Sequence, residues 1–119
     1  MIHLDESRRS EALSALAEAY GSWIDPGPGW QVLAVVDGSV IGAVLVCGPE
    51  VHIGITRPVF LRPLIRDVIG KQVKEYGRSI TMVRESHEVG HRFVQRIGFK
   101  PVKTEAGLVH YELKELKHG

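Results

Sequence analysis

One cysteine in 119 residues, Cys47, leaves no second thiol for an intrachain disulfide, and the expected compartment is a reducing one, the cytoplasm. Cys47 closes the apolar run VIGAVLVC and reads as a small buried hydrophobe rather than a nucleophile. That run is far too short to span a bilayer, so no membrane partner is expected. A basic segment followed by an apolar one is also lacking at the start, which argues against a secretion signal. Charge of one sign is scarce as well. A formal net charge of +1 gives no basic footprint for nucleic acid. Repeats, linkers and low-complexity segments are absent, and 44% hydrophobic with 24% charged residues is ordinary globular composition. The length suits one domain, residues 1–119.

What is present is a sequence of short, well-punctuated elements. DESRRSEALSALAEAYG predicts a helix with Leu13, Leu16, Ala17 and Tyr20 on one stripe, Asp5 or Ser7 as its cap and Gly21 as its end. QVLAVV and VIGAVLVC flank Asp37-Gly38-Ser39, the signature of a tight antiparallel hairpin. EVHIGI is a third strand, with Val51, Ile53 and Ile55 on one face and Glu50, His52 and Gly54 on the other. A helix starts near Arg62, where Pro63 is tolerated in the first turn. Leu64, Ile65, Val68, Ile69 and Val73 form its buried stripe, and Arg62, Arg66, Lys71 and Lys74 its solvated side. SITMVR is a fourth strand, ESHEVGHRFVQRIG a helix ending at Gly98, and FKPVKT with GLVHYELKEL a closing hairpin. The order α-β-β-β-α-β-α-β-β predicts an α/β protein, specifically an α+β mixed sheet with helices packed on it.

His87-Glu88-Val89-Gly90-His91 fits H-E-x-x-H, in which two imidazoles hold zinc and a carboxylate deprotonates a bound water. A zinc hydrolase needs that pattern well inside an apolar helix, with a third ligand nearby. Here it opens a helix directly after a strand, and Glu112, a possible third ligand by spacing, falls in the last strand. The expectation is no metal, with a small zinc hydrolase using His87, Glu88 and His91 kept as an alternative.

Three stretches then resemble the GCN5-related N-acetyltransferase (GNAT) superfamily. Val35 to Gly42, V-x-D-G-x-x-I-G, looks like its hairpin between the second and third strands. EVHIGITR followed by a helix looks like its central strand, and RFVQRIGFKP like its helix end with a Gly-Phe turn. The resemblance spans roughly residues 31 to 114. The first strand is reduced to Ile2-His3-Leu4 at best, and one of two early helices is missing, so the GNAT-like order is shortened at the N-terminus.

The resemblance implies a fold whose fourth and fifth strands splay apart, binding acetyl-CoA for transfer to an amine. Ile53, Gly54 and Ile55 would line the pantetheine arm, and residues 57–63 would meet the pyrophosphate at a helix start, where unpaired N–H groups favour anions. The sequence departs from the family there. In place of R/Q-x-x-G-x-G/A it has Arg57-Pro58-Val59-Phe60-Leu61-Arg62-Pro63, losing glycines and two N–H donors. Arg57 and Arg62 would contact phosphate through their guanidinium groups instead. The tyrosine that many GNAT enzymes use as general acid falls at Val94, and a frequent asparagine at His87.

If the chain is an enzyme, Glu50 or His52 is the base that takes the ammonium proton. Arg84, Glu85 and Ser86 line the acceptor side, and Trp23 and Trp30 flank a loop able to cover it. A narrower likeness, through Arg92, Phe93, Val94, Ile97 and Gly98, is to short GNAT-like phage proteins of the T7-like internal virion type. It implies the other class of function, a scaffold without catalysis whose partners are proteins, virion proteins among them.

Overall fold

The computed structural model describes residues 1–23 and 26–116. Its elements are β1 (His3–Asp5), α1 (Arg9–Tyr20), β2 (Gln31–Asp37), β3 (Ser39–Cys47) and β4 (Glu50–Ile55). They are followed by α2 (Arg62–Tyr76), β5 (Ser79–Arg84), α3 (Glu88–Ile97), β6 (Lys100–Glu105) and β7 (Leu108–Leu113). The strands form one mixed sheet in the order β1-β2-β3-β4-β5-β7-β6. Two compact units share the chain: Met1–Cys47 with Val51–Leu64, and Gly48–Glu50 with the residues from Ile65 onward.

In the first unit, β2 and β3 form the expected hairpin. Asp37 and Ser39 pair across Gly38, whose φ of 76° is the left-handed conformation such a turn requires. Helix α1 buries Ala12, Leu13 and Leu16 against Val32, Ala34 and Val36 of β2 and Ala43 and Leu45 of β3. Gly21, at φ 77°, ends the helix as expected. Its start differs from the expectation. Arg8 occupies the cap position with no side-chain cap, and Asp5 instead accepts hydrogen bonds from the amide and hydroxyl of Ser7, at 2.8 and 2.6 Å. The order from the sequence omits β1, which the resemblance reduced to Ile2-His3-Leu4 at best; the strand is present and pairs antiparallel with β2 through His3↔Val36, Leu4↔Val35 and Asp5↔Ala34. Three residues are too few to show a period of two, so this strand exists by pairing rather than by pattern.

In the second unit, β7 lies between β5 and β6 and is antiparallel to both. The unit also takes in Gly48–Glu50, where Glu50 pairs in parallel with Ile80 and the Ile80 amide donates to the Pro49 carbonyl at 2.8 Å. Helix α2 starts at Arg62 as read from the sequence, but its buried set is Ile65, Ile69 and Gln72, while Leu64, Val68 and Val73 are only half-buried. Gln72 is tolerated because all of its polar atoms are used. Its Nε2 donates to the Gly48 and Glu50 carbonyls at 3.0 and 3.1 Å, and its Oε1 accepts from the buried Ser79 hydroxyl at 2.7 Å. Helix α3 ends at Gly98 as expected. Strand β6, at the sheet's edge, is exposed along its whole length, with an irregular register between Pro101 and Lys103. None of the described helices is long and apolar enough to cross a membrane.

Candidate functional site

Strand β4 and the segment after it carry the residues that the sequence singled out. The α1-facing side of β4, on which His52 and Gly54 were expected to lie, is covered. A Cβ placed on Gly54 would come within 2.6 Å of Leu16 Cδ1 and within 3.0 and 3.4 Å of two ring carbons of Tyr20. Only glycine lets the helix lie this close to the strand. The Tyr20 hydroxyl donates to the Ile53 carbonyl at 3.1 Å. One step along, the ring of His52 lies 5.7 Å from that of Trp30, tilted by 40°. His52 is thus a half-buried side chain beside an indole. The close approach continues into β3: a Cβ on Gly42 would collide with the Gly54 carbonyl oxygen and lie 2.8 Å from the Ile55 Cα.

Past β4 the chain is tied to the β2–β3 hairpin. The amide and hydroxyl of Thr56 both donate to the Ile41 carbonyl, at 2.8 and 3.0 Å. The Arg57 guanidinium pairs with the Asp37 carboxylate at 3.0 Å and donates to the Asp37 carbonyl at 3.1 Å. It is engaged by this internal carboxylate. Leu61 is buried and pins the chain just before α2, whereas Phe60 is 74% exposed. Arg62 makes no side-chain hydrogen bond or ion pair among the described residues. The charged donors of this segment are the guanidiniums of Arg57 and Arg62, the first already paired with Asp37, in place of a row of glycine amides.

The second unit holds Glu50 and the H-E-x-x-H pattern. Glu50 is half-buried at the start of β4, its carbonyl fixed by Gln72. His91 is fully committed to hydrogen bonds. Its Nε2 faces the Arg84 and Glu85 carbonyls at 2.9 and 3.1 Å, so that nitrogen carries the proton. Its Nδ1 accepts from the hydroxyl of the buried Tyr111 at 2.7 Å, and Gln95 Nε2 donates to the same oxygen at 3.3 Å. No lone pair of His91 remains for a metal. Glu112 is paired with Arg78 at 3.1 Å and Lys114 at 3.8 Å. No three metal-ligating side chains gather anywhere among the described residues. The zinc alternative is corrected accordingly: the histidine of the pattern is a strut between α3, β5 and β7.

Val94 is buried in the core face of α3. Arg84, Glu85 and Ser86 lie exposed at the end of β5. Of the two tryptophans, Trp30 reaches β4 through His52 and packs on the α1-side core, whereas Trp23 is 63% exposed. Sequence reasoning placed Tyr20 on the buried stripe of α1 and gave it no role at β4; its signal, an aromatic directly before a helix-ending glycine, says nothing about a strand 33 residues away.

No family model and no curated protein matches the sequence. Solved structures do match. The ribosomal-protein-S18-alanine N-acetyltransferase of Escherichia coli superposes with a TM-score of 0.74 at 15% identity, covering 100% of this chain and 97% of that one. The PaiA N-acetyltransferase of Thermoplasma acidophilum, in complex with coenzyme A, gives 0.72 at 13% identity, covering 97% and 99%. A GNAT family acetyltransferase of Elizabethkingia anophelis with acetyl-CoA bound gives 0.67 at 14% identity, covering 97% of each. At such identities the likeness is one of fold, and it spans nearly the whole chain. The protein has the GNAT acetyltransferase fold.

Proposed function

We propose that the protein binds acetyl-CoA and transfers the acetyl group to an amine. Two structural neighbours are described as complexes with coenzyme A or acetyl-CoA, which supports the donor. The observation that carries the reading in this chain is the run of residues 51–64, from β4 to the first turn of α2, which lies within one compact unit. Ile53, Gly54 and Ile55 supply backbone to the pantetheine arm, and Arg57 and Arg62 supply positive charge to the pyrophosphate. The acyl donor contributes the activated thioester. The chain contributes position and proton transfer, with His52 taking the proton of the attacking ammonium, directly or through water.

A second reading, a GNAT-fold binding protein without catalysis, is favoured by specific observations. Pro58 and Pro63 cannot donate, Arg57 is held by Asp37, and Val94 can move no proton. On this reading the partners are proteins. Calorimetric titration with acetyl-CoA separates the two. Micromolar binding that weakens in Arg62→Ala supports the donor site; no heat at high micromolar concentration removes the donor and leaves the scaffold reading.

A further inference from the structure

We infer that Tyr20 closes the acyl end of the donor site and restricts it to an acyl group of acetyl size. The inference rests on the donor site proposed above and adds its selectivity. With phosphates at residues 57–63 and the arm running back along Ile55 and Ile53, direction is fixed. At about 3.3 Å per residue, the four steps from Arg57 to Ile53 place the acyl end about 13 Å away, beside Ile53 and His52. On the α1-facing side, side chains of α1 and Trp30 stand against this stretch of β4. The Tyr20 ring and Leu16 lie on Gly54 closer than one methyl group would allow, and Trp30 lies against His52. The hydrogen bond from the Tyr20 hydroxyl to the Ile53 carbonyl holds the ring in that place. Tyr20 is also the movable member of the wall. It is 37% exposed in the last turn of α1, whereas Leu16 is wholly buried.

The sign of the chain-length effect decides the matter. In an open groove each added methylene leaves water and tightens binding. Against a closed wall each one must displace packed side chains and weakens it. The experiment titrates the full chain with acetyl-, butyryl- and hexanoyl-CoA by calorimetry, alongside Tyr20→Phe and Tyr20→Ala, after melting curves have verified that both variants fold. The wild type should bind hexanoyl-CoA at least tenfold more weakly than acetyl-CoA. Tyr20→Phe keeps the ring and should keep that order, and Tyr20→Ala should reverse it. Equal or rising affinity along the wild-type series overturns the inference while leaving the donor site standing. So does a falling series that Tyr20→Ala leaves unchanged. If the wild type binds none of the three, the donor site itself is wrong and the inference falls with it.

Discussion

The hydroxyl of Tyr111 donates to Nδ1 of His91 at 2.7 Å, and the opposite ring nitrogen faces two backbone carbonyls. A sequence pattern associated with zinc is used here to bolt a helix to two strands. Zinc or a chelator should therefore leave the melting temperature unchanged. His91→Phe leaves the Tyr111 hydroxyl proton without its acceptor and the Arg84 and Glu85 carbonyls without that donor, and should cost about 1–3 kcal/mol in urea denaturation. Stabilisation of the wild type by stoichiometric zinc would contradict this.

Gln72 gives the second test. Gln72→Met has similar length but leaves the Gly48 and Glu50 carbonyls and the Ser79 hydroxyl without that partner. A loss of about 1–3 kcal/mol is expected from the stranded groups, seen as a lower denaturation midpoint at unchanged slope.

The two glycines of the β3–β4 contact should behave differently. At Gly54 an added methyl group meets the ends of Leu16 and Tyr20, which can shift, and overpacking should cost about 1–3 kcal/mol. At Gly42 it meets backbone, the Gly54 carbonyl and the Ile55 Cα, which cannot move without breaking the strand. Gly42→Ala should be the worse of the two, judged by urea midpoints or by yield of folded protein.

Asp37→Asn frees Arg57 from its carboxylate. The pair is largely exposed, so stability should change by less than about 1 kcal/mol. Acetyl-CoA binding should tighten severalfold, and the gain should shrink as salt is raised. Unchanged affinity in calorimetry would show that Arg57 takes no part in holding the donor.

Three surface carboxyls set an acid limb. Hydrogen bonds from Ser7, Arg8 and Lys103 hold Asp5, Glu11 and Glu105 respectively below the ordinary carboxylate range. Folded values lower than unfolded ones mean that the stabilisation is complete above the ordinary range. It is lost as pH falls through the folded values. Melting temperature followed through the acid range should fall less steeply in Asp5→Asn and Glu11→Gln than in the wild type.

Much of this architecture was legible because it is written locally. The Asp37-Gly38-Ser39 turn, the Gly21 and Gly98 helix ends and the Arg62-Pro63 start each follow from the conformational preference of one or two residues. What was not legible is long-range. Strand β1 is defined only by its partner, and Gln72 looks like a surface residue until Gly48, Glu50 and Ser79 gather around it. The site splits the same way. Alternation located the strand β4, and the family resemblance pointed to the glycine-free segment after it, but neither showed that Asp37 holds Arg57 or that Tyr20 lies on Gly54, since both depend on residues brought together by folding.

Strand β6 has a consequence for how this molecule meets others. Its outward edge combines a proline without an amide proton, an irregular register and lysines at positions 100 and 103. A second chain offering a strand finds a broken row of donors and charged side chains there, which disfavours extension of the sheet across this boundary. Any protein that recognises this end must do so through side chains such as the exposed Val102, reading surface chemistry instead of backbone.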